Sequence, residues 1–401
     1  MSVPSLRFTG FNEVWKLKNV NELLVLFGGN SFQSIDSKSS GVRWLKIANV
    51  GFGKTTWDTS SFLPNSFIKE YSRYTLDTGD IVMALTRPII RNELKIAKLQ
   101  SNDLPILLNQ RVAKLITNEG ISNSFIYHLL RKRKVVREIE NLISGTDPPN
   151  IGNSDMEKLK VFIPDELEQK KIGDFFNLLD QKTGKQLEKV EQLEELKKGM
   201  MQKVFSRELR FKDENGGEFP EWEEKKLGDF TIMYSGGTPD SKNAKYYKGS
   251  IPFIRSGEIY SSKTELFINE EAINNSSAKM VAQGDLLMAI YGATSGEISI
   301  SKIEGAINQA ILCIKSSQSL DYIRFYWMYQ KERIISAYLQ GGQGNLSAGI
   351  VKKVVIPLPC IQEQLKISNT LKSIEIKINK EVQRFDNLVE QKRGFMQQMF
   401  V

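Results

Sequence analysis

Three short stretches of this 401-residue chain carry residue types at spacings that could do chemistry. Asp80 followed by Glu93-Leu94-Lys95 matches the spaced acid and Glu-x-Lys of metal-dependent nucleases, in which carboxylates hold the ion and a lysine sits beside it. The second half has Asp285 but reads Gly296-Glu297-Ile298-Ser299, without the lysine. Gly53-Lys54-Thr55 looks like the end of a phosphate-binding loop. Ala48 stands where that loop needs its first glycine, and no strand–loop–helix pattern surrounds it. Asp147-Pro148-Pro149-Asn150 has the acid and prolines of a loop that stacks a flipped base on a following aromatic. Asn150 replaces the aromatic, so the reading is a proline-stiffened turn. The single histidine, His128, lies in an apolar helical stretch, and Cys313 and Cys360 sit in different segments. Histidine–cysteine metal centres and histidine-based triads are thus nearly excluded, and the sparse cysteines point to a reducing compartment. A nuclease built on Asp80, Glu93 and Lys95 remains as the enzymatic alternative.

The other chemistry is polar and basic. Lys46, Arg87, Arg91, Asn109, Gln110 and Arg111 lie in or beside predicted loops of the first half. Arg255, Ser256, Tyr291, Thr294, Ser295, Asn308, Gln309, Gln343 and Asn345 lie in comparable places in the second. Arginine pairs bidentately with guanine and Asn or Gln with adenine, so such side chains on loop tips are suited to reading base edges. Arg131, Lys132, Arg133 and Lys134 form a cluster better suited to phosphates, which position a protein without specifying sequence. The net charge of +8 favours a polyanionic partner.

The elements that must position these residues come in two copies. Pro164, Glu168, Gln169, Lys171 and Ile172 recur 195 positions later as Pro359, Glu363, Gln364, Lys366 and Ile367. Lys197, Gly199, Met201, Gln202 and Phe205 recur at the same offset as Lys392, Gly394, Met396, Gln397 and Phe400. Between these motifs, apolar residues keep three-and-four spacing: Ile172, Phe176, Leu179, Leu187, Val190 and Leu193 in one copy, Ile367, Leu371, Ile374, Ile378, Val382 and Phe385 in the other. Each copy predicts a helix of roughly 40 residues, about 60 Å at 1.5 Å per residue. Asp165 with Glu168 predicts an N-terminal capping box, which Cys360 cannot repeat. A two-fold relation between the copies predicts that the helices pack antiparallel.

Fainter echoes keep the same order in both halves. Leu6-Arg7-Phe8 and Trp15 echo Leu209-Arg210-Phe211 and Trp222, and Gly28-Gly29 echoes Gly236-Gly237. Gly79-Asp80 echoes Gly284-Asp285, Asn109-Gln110 echoes Asn308-Gln309, and Asn150-Ile151 echoes Asn345-Leu346. Short β-like runs at 42–50, 80–85, 94–99 and 111–116, with 251–254, 285–290, 297–300 and 310–314, are followed by helical stretches at 123–141 and 320–339. The fold class is α+β, with a strongly bent sheet in each globular part. The expected domains are 1–163, a first spacer helix 164–206, a second globular domain 207–358 and a second spacer helix 359–401. No apolar run approaches the ~20 residues that span a bilayer, and the N-terminus lacks a signal-peptide core, so a cytoplasmic protein without membrane contact is expected.

Two variable-looking domains, each followed by a helix beginning Pro-x-x-x-Glu-Gln-x-x-Ile and ending near Lys-x-Gly-x-Met-Gln, resemble the specificity subunit of Type I restriction–modification systems. Ile251-Pro252-Phe253-Ile254-Arg255-Ser256-Gly257, Tyr291-Gly292-Ala293-Thr294-Ser295-Gly296, Asn308-Gln309-Ala310 and Gly344-Asn345-Leu346-Ser347 add to the resemblance. The first half departs from it at Thr86-Arg87-Pro88 and at Asp147–Gly152. The resemblance implies two target-recognition domains held apart by an antiparallel helix pair and reading a bipartite, asymmetric sequence in double-stranded DNA. A helix of about 60 Å spans about 17–18 base pairs at 3.4 Å each, which suits separate half-sites. The resemblance further implies two docked adenine-N6 methyltransferase subunits and, through them, restriction/translocase subunits. It implies no catalysis by this chain; S-adenosylmethionine, ATP and Mg2+ belong to the partners. Met200, Met201 and Phe205, with Phe395 and Met396, are the expected partner-docking residues. A coiled-coil scaffold whose globular halves bind no DNA is the non-enzymatic alternative.

Overall fold

The computed structural model describes residues 3–143, 147–338 and 345–401. It divides into two compact units drawn from separated stretches: unit 1 is 1–187 with 384–401, and unit 2 is 188–383.

Unit 1 carries a five-stranded sheet in the order Leu24–Gly28, Val112–Thr117, Ile81–Ala84, Ile96–Lys98, Phe52–Gly53. A four-stranded sheet has the order Phe62–Leu63, Val42–Leu45, Ile106–Leu108, Thr75–Leu76. Unit 2 repeats the plan with Thr231–Ser235, Ile311–Ser316, Leu286–Ala289, Ile298–Ile300 and with Phe267–Ile268, Ile251–Ile254, Gly305–Ile307, Lys279–Val281. The parallel contact recurs as well, Leu107 opposite Trp44 in one unit and Ala306 opposite Phe253 in the other. Each globular part is therefore built on two main sheets, with smaller two-stranded pairs beside them, where the sequence predicted one bent sheet.

Alternation along the central strands shows why both faces are apolar. Ile81 and Met83 point into a core shared with the helices, while Val82 and Ala84 point into the core between the sheets. Leu286 and Met288 against Leu287 and Ala289 divide in the same way. A strand buried on both faces reads as a continuous apolar run.

The long helices are Glu166–Phe205 and Ile361–Gln398. Their N-terminal motifs are explained by tertiary contacts. Asp165 Oδ1 accepts from the Glu168 N–H at 2.9 Å, but the Glu168 carboxylate does not reach back to complete the capping box. It takes a bidentate pair of hydrogen bonds from Arg7, both 2.7 Å, and is fully buried. Glu363 repeats this with Arg210 and adds the Trp222 indole N–H at 2.8 Å. Gln169 donates to Pro164 O and accepts from the Ser122 N–H at the start of helix Asn123–Leu130. Gln364 does the same with Pro359 O and Ser319 N, at the start of helix Leu320–Tyr338. The Glu-Gln dipeptide of each helix thus ties the N-terminal arm and the domain helix to one point.

The C-terminal motifs act in the opposite units. Phe205 packs on Tyr322, Tyr326 and Tyr329 in unit 2, and Phe400 on Phe125 and Phe176 in unit 1. Within unit 1 the helices run antiparallel, with Phe176 meeting Phe400, Phe175 meeting Phe395, and Asp180 paired with Lys392. Within unit 2 Lys189 meets Glu381 and Lys197 meets Glu375, again antiparallel.

The glycine echo is a close approach. A Cβ on Gly29 would lie 2.2 Å from Leu108 O, and one on Gly236 would lie 1.8 Å from Ile307 O. Gly29 therefore matches Gly236, one position away from the pairing suggested by the dipeptides. The helical stretch predicted at 123–141 is two helices, Asn123–Leu130 and Arg133–Ile143, whereas the equivalent in unit 2 is unbroken over Leu320–Tyr338.

Removing the Glu363 carboxylate strands the buried Trp222 indole N–H and takes from Arg210 its buried partner, leaving it Glu221 and two carbonyls. Glu363→Ala is expected to cost about 3–5 kcal/mol, read as a fall in the denaturant midpoint of unit 2, and Arg210→Met/Glu363→Leu to recover part of it. An E363A midpoint equal to wild type would refute this role.

Candidate nucleic-acid interface

Backbone hydrogen bonds gather the predicted loop residues at one edge in each unit. In unit 1 the Leu85 N–H donates to Arg111 O, the Ile151 N–H to Leu85 O and the Arg87 N–H to Pro149 O. These bonds draw together Thr86–Pro88, Gln110–Arg111 and Asn150. In unit 2 the Ile290 N–H donates to Ala310 O and the Leu346 N–H to Ile290 O. They draw together the Tyr291–Ser295 loop, Asn308–Gln309 and Asn345.

The side chains at these edges divide into structural and displayed groups. Asn109 Oδ1 accepts from the Arg111 N–H and Asn308 Oδ1 from the Ala310 N–H, so both asparagines form turns. Asn345 Oδ1 accepts from the Gly292 N–H at 3.4 Å, and Ser295 donates to Ile290 O. Lys46 lies 3.7 Å from the centre of the Trp44 ring and donates to Ser61 Oγ; burial pulls its pKa down. Arg255, its counterpart, pairs with Glu258 and Glu265, and these hydrogen bonds push its pKa up. Ser256 and Thr294 are half-buried beside these turns. Arg87, Arg91, Gln110 and Arg111 are exposed, as are Tyr291 and Gln309, the last accepting from the Thr238 hydroxyl. Gln343 lies outside the described residues.

Unit 1 replaces the Tyr-Gly-Ala-Thr loop with a hairpin, Ile89–Ile90 paired with Glu93–Leu94. Its two-residue turn places Arg91 at φ 52° and Asn92 at φ 62°. Positive φ at both turn residues fits the twist of a tight hairpin. Arg87 also adopts a positive φ of 47°. Asp147–Asn150 forms the turn that holds this loop: Thr86 Oγ1 donates to Asn150 Oδ1 at 2.6 Å, and Asn150 Nδ2 donates to Pro148 O. It stacks nothing.

The basic cluster is partly committed to holding helices. Arg131 Nη1 donates to Asp180 and to the Tyr127 hydroxyl, and Lys392 pairs with the same Asp180. Burial raises the Asp180 pKa, but Lys392 and Arg131 outweigh it and hold the carboxyl below its usual value. Unit 2 has the same triad in Lys197, Glu375 and Arg324, with Arg324 Nη2 at 2.7 Å from Glu375 Oε2. Lys132 donates to Phe400 O. Arg133 is exposed. Neither triad is apparent from sequence alone, because the partners of each carboxylate are about 50 and about 180–210 positions away in the chain.

Two expectations are corrected. Met201 and Phe205 are core residues of unit 2, at 7% and 6% exposure, and Met200 packs against that core. Phe395 and Met396 pack in the same way against the core of unit 1. Met201 and Phe205 face inward, and Met200, Phe395 and Met396 are half-buried against the cores, because the helix ends are anchored there. The nuclease constellation also does not assemble. Asp80 opposes Leu99 and Ala84 opposes Lys95 across one strand pair, four residues apart, or about 13 Å. Asp80 pairs with Lys114 and caps the Asp77 N–H, as Asp285 pairs with Lys315 and caps Ala282. Lys95 points to Ile47 O. The Thr55 hydroxyl is taken by Asp103, and Lys54 lies in a turn with no helix after it. No group of three potential metal ligands occurs among the described residues.

Two units on one two-sheet plan, each displaying its own polar loops and packed on paired long helices, define a two-domain target-recognition protein. The chain belongs to the family whose model is described as Type I restriction modification DNA specificity domain, matched at residues 12–198 and again at 220–384. It is 35% identical over 204 residues to the type I restriction enzyme MjaVIII specificity subunit of Methanocaldococcus jannaschii, covering 51% of this chain and 48% of that one. It therefore spans about half the length of that relative. A second M. jannaschii chain, provisionally named the type I restriction enzyme MjaX specificity subunit, is 25% identical over 407 residues, with coverage of 96% and 90%. The S subunit of M. genitalium shares the fold, with TM-score 0.68 and 15% identity over 100% of this chain and 99% of that one. Among the described residues no helix is long and apolar enough to cross a membrane.

His128 gives a pH prediction. It is buried, its Nε2 lies 3.3 Å from Asn177 Oδ1, and burial pulls its pKa down to about 3. The unfolded histidine titrates near 6.5, so the stability from neutral His128 is complete above about pH 6.5 and is lost as pH falls toward 3. Phe325 occupies the equivalent position in unit 2. Between pH 7.5 and 5, His128→Phe is expected to lose about 2 kcal/mol less stability than wild type, from urea midpoints of unit 1. Equal losses would sink this reading.

Proposed function

We propose that this chain is the sequence-reading subunit of a Type I restriction–modification complex, recognising a bipartite, asymmetric duplex DNA target with one unit per half-site. The observation that carries this reading is the repetition of one scaffold with different loops. Equivalent backbone hydrogen bonds hold the segments that display Gln110 and Arg111 in one unit and Tyr291 and Gln309 in the other, and unit 1 adds one at Arg87. Constant positioning with different displayed donors and acceptors suits two unlike half-sites. The mildly basic balance of the chain supports a DNA partner.

Two adenine-N6 methyltransferase subunits dock on the long helices, and restriction/translocase subunits join through them. Apolar side chains exposed on those helices support this docking, including Leu167 and Leu178 in unit 1 and Leu196, Leu365 and Ile376 in unit 2, at 73, 63, 51, 47 and 61% exposure. The chain itself is not a catalyst. S-adenosylmethionine, ATP and Mg2+ act in the partner subunits.

Co-expression with the cognate methyltransferase should yield adenine methylation at one split motif, two short blocks around a fixed gap. Arg111→Ala should relax the methylated motif in one block only. Methylation that is unchanged when this chain is absent would overturn the proposal.

A further inference from the structure

In unit 1 the basic cluster Arg131–Lys134 is joined by cations from two other elements around one cleft. A cleft of about 670 Å³ lies between the Ile89–Leu94 hairpin, the junction of helices Asn123–Leu130 and Arg133–Ile143, and the last turns of the second long helix. Arg91, Arg133, Lys134 and Arg393 form its exposed rim, and Arg131, Lys132 and Lys392 lie deeper. Glu93 is the one carboxylate in the lining. The deeper cations have partners inside the fold, Asp180 and Phe400 O. The rim cations have no ion pair among the described residues.

These charges press on one another. Burial, with Lys134 adding to it, pulls the Lys132 pKa down to about 8, and burial with Arg131 lowers that of Lys392. An anion in the cleft would relieve that repulsion. The N-terminal end of helix Arg133–Ile143 opens at the same place and adds its dipole. Phe52, 43% exposed, with Val389 and Met396 supplies apolar wall between the cations. Among the described residues unit 2 keeps only part of this cluster: Lys331, opposite Lys134, is paired with Glu297. Aligning the capping serines Ser122 and Ser319 puts Met328, Tyr329 and Gln330 where unit 1 has Arg131, Lys132 and Arg133.

We propose that this cleft binds a run of phosphate groups, which makes unit 1 the half of the molecule with an added electrostatic anchor. Three rim arginines present planar forks of donors that match phosphate oxygens bidentately. The phosphates come from the backbone of duplex DNA or from a free polyphosphate. The first source rests on the function proposed above, and the second does not.

The test uses the full chain and an Arg133→Ser/Lys134→Ser/Arg393→Ser variant, with inorganic triphosphate and a random-sequence duplex as probes. Calorimetry should show triphosphate bound by wild type and weakened about tenfold or more in the variant. The slope of log K against log salt for the duplex should shrink by about 2–3 in the variant, near 0.9 for each lost phosphate contact. The charge-conserving variant, Arg133→Lys/Arg393→Lys, should retain most of both and so separates charge from folding. Loss of triphosphate with an unchanged duplex slope supports the cleft with a free polyphosphate as its ligand. A shrunken slope without triphosphate binding supports it with the DNA backbone as ligand. Equal binding of both probes by variant and wild type overturns the proposal, as does poly-glutamate binding as tightly as triphosphate. If the methylation pattern proves independent of this chain while triphosphate binding is lost in the variant, the proposed function fails and the phosphate site stands.

Discussion

The pairing of one carboxylate with one lysine and one arginine sets the register of the long helices in each unit. Asp180 meets Lys392 and Arg131, and Glu375 meets Lys197 and Arg324. Two half-buried cations around a half-buried carboxylate add modest net stability, since desolvation offsets much of the attraction. What they add is specificity of register. Sliding either helix by one turn would leave a charge in the apolar seam beside Phe176 or Phe325, and the cost of an unpaired buried charge forbids it. With register set, Phe205 and Phe400 reach the aromatic clusters that receive them.

This arrangement separates the unit of repetition from the unit of packing. In sequence, a globular part and the helix after it form one repeat. In space, each globular part packs with the start of its own helix and the end of the other one. The repeated Lys-x-Gly-x-Met-Gln-x-x-Phe motif is therefore an anchoring motif: both phenylalanines and Met201 are buried, and Met396 packs half-buried against the core of unit 1. Leu178 and Ile376, which the amphipathic pattern places off the main seam, stay exposed on the same helices.

The displayed loops follow from the same economy. Turn-forming side chains, Asn109 and Asn308 with Asp80 and Asp285, recur because each satisfies a backbone N–H at a strand end. The exposed positions between them carry no such duty. Unit 1 has used this freedom to insert the Arg91–Asn92 hairpin, and unit 2 holds its loop through Trp327, whose indole N–H donates to Gly296 O.

Sequence by itself determined the two-fold repetition, the α+β class, both long helices and most central strands, because periodicity and repeated motifs are local signals. It also marked Arg87, Arg91, Gln110, Arg111, Tyr291 and Gln309 as loop residues, and they are exposed. Only the tertiary structure decided that each globular part is two sheets, since a strand with both faces buried has the same apolar pattern in either arrangement. It alone decided that Glu168 serves Arg7 in place of its own helix cap, that Asn109 builds a turn, and that Met201 and Phe205 face inward. Each of these depends on partners far apart in the chain, and residue type and spacing carry no record of which distant group a side chain will meet.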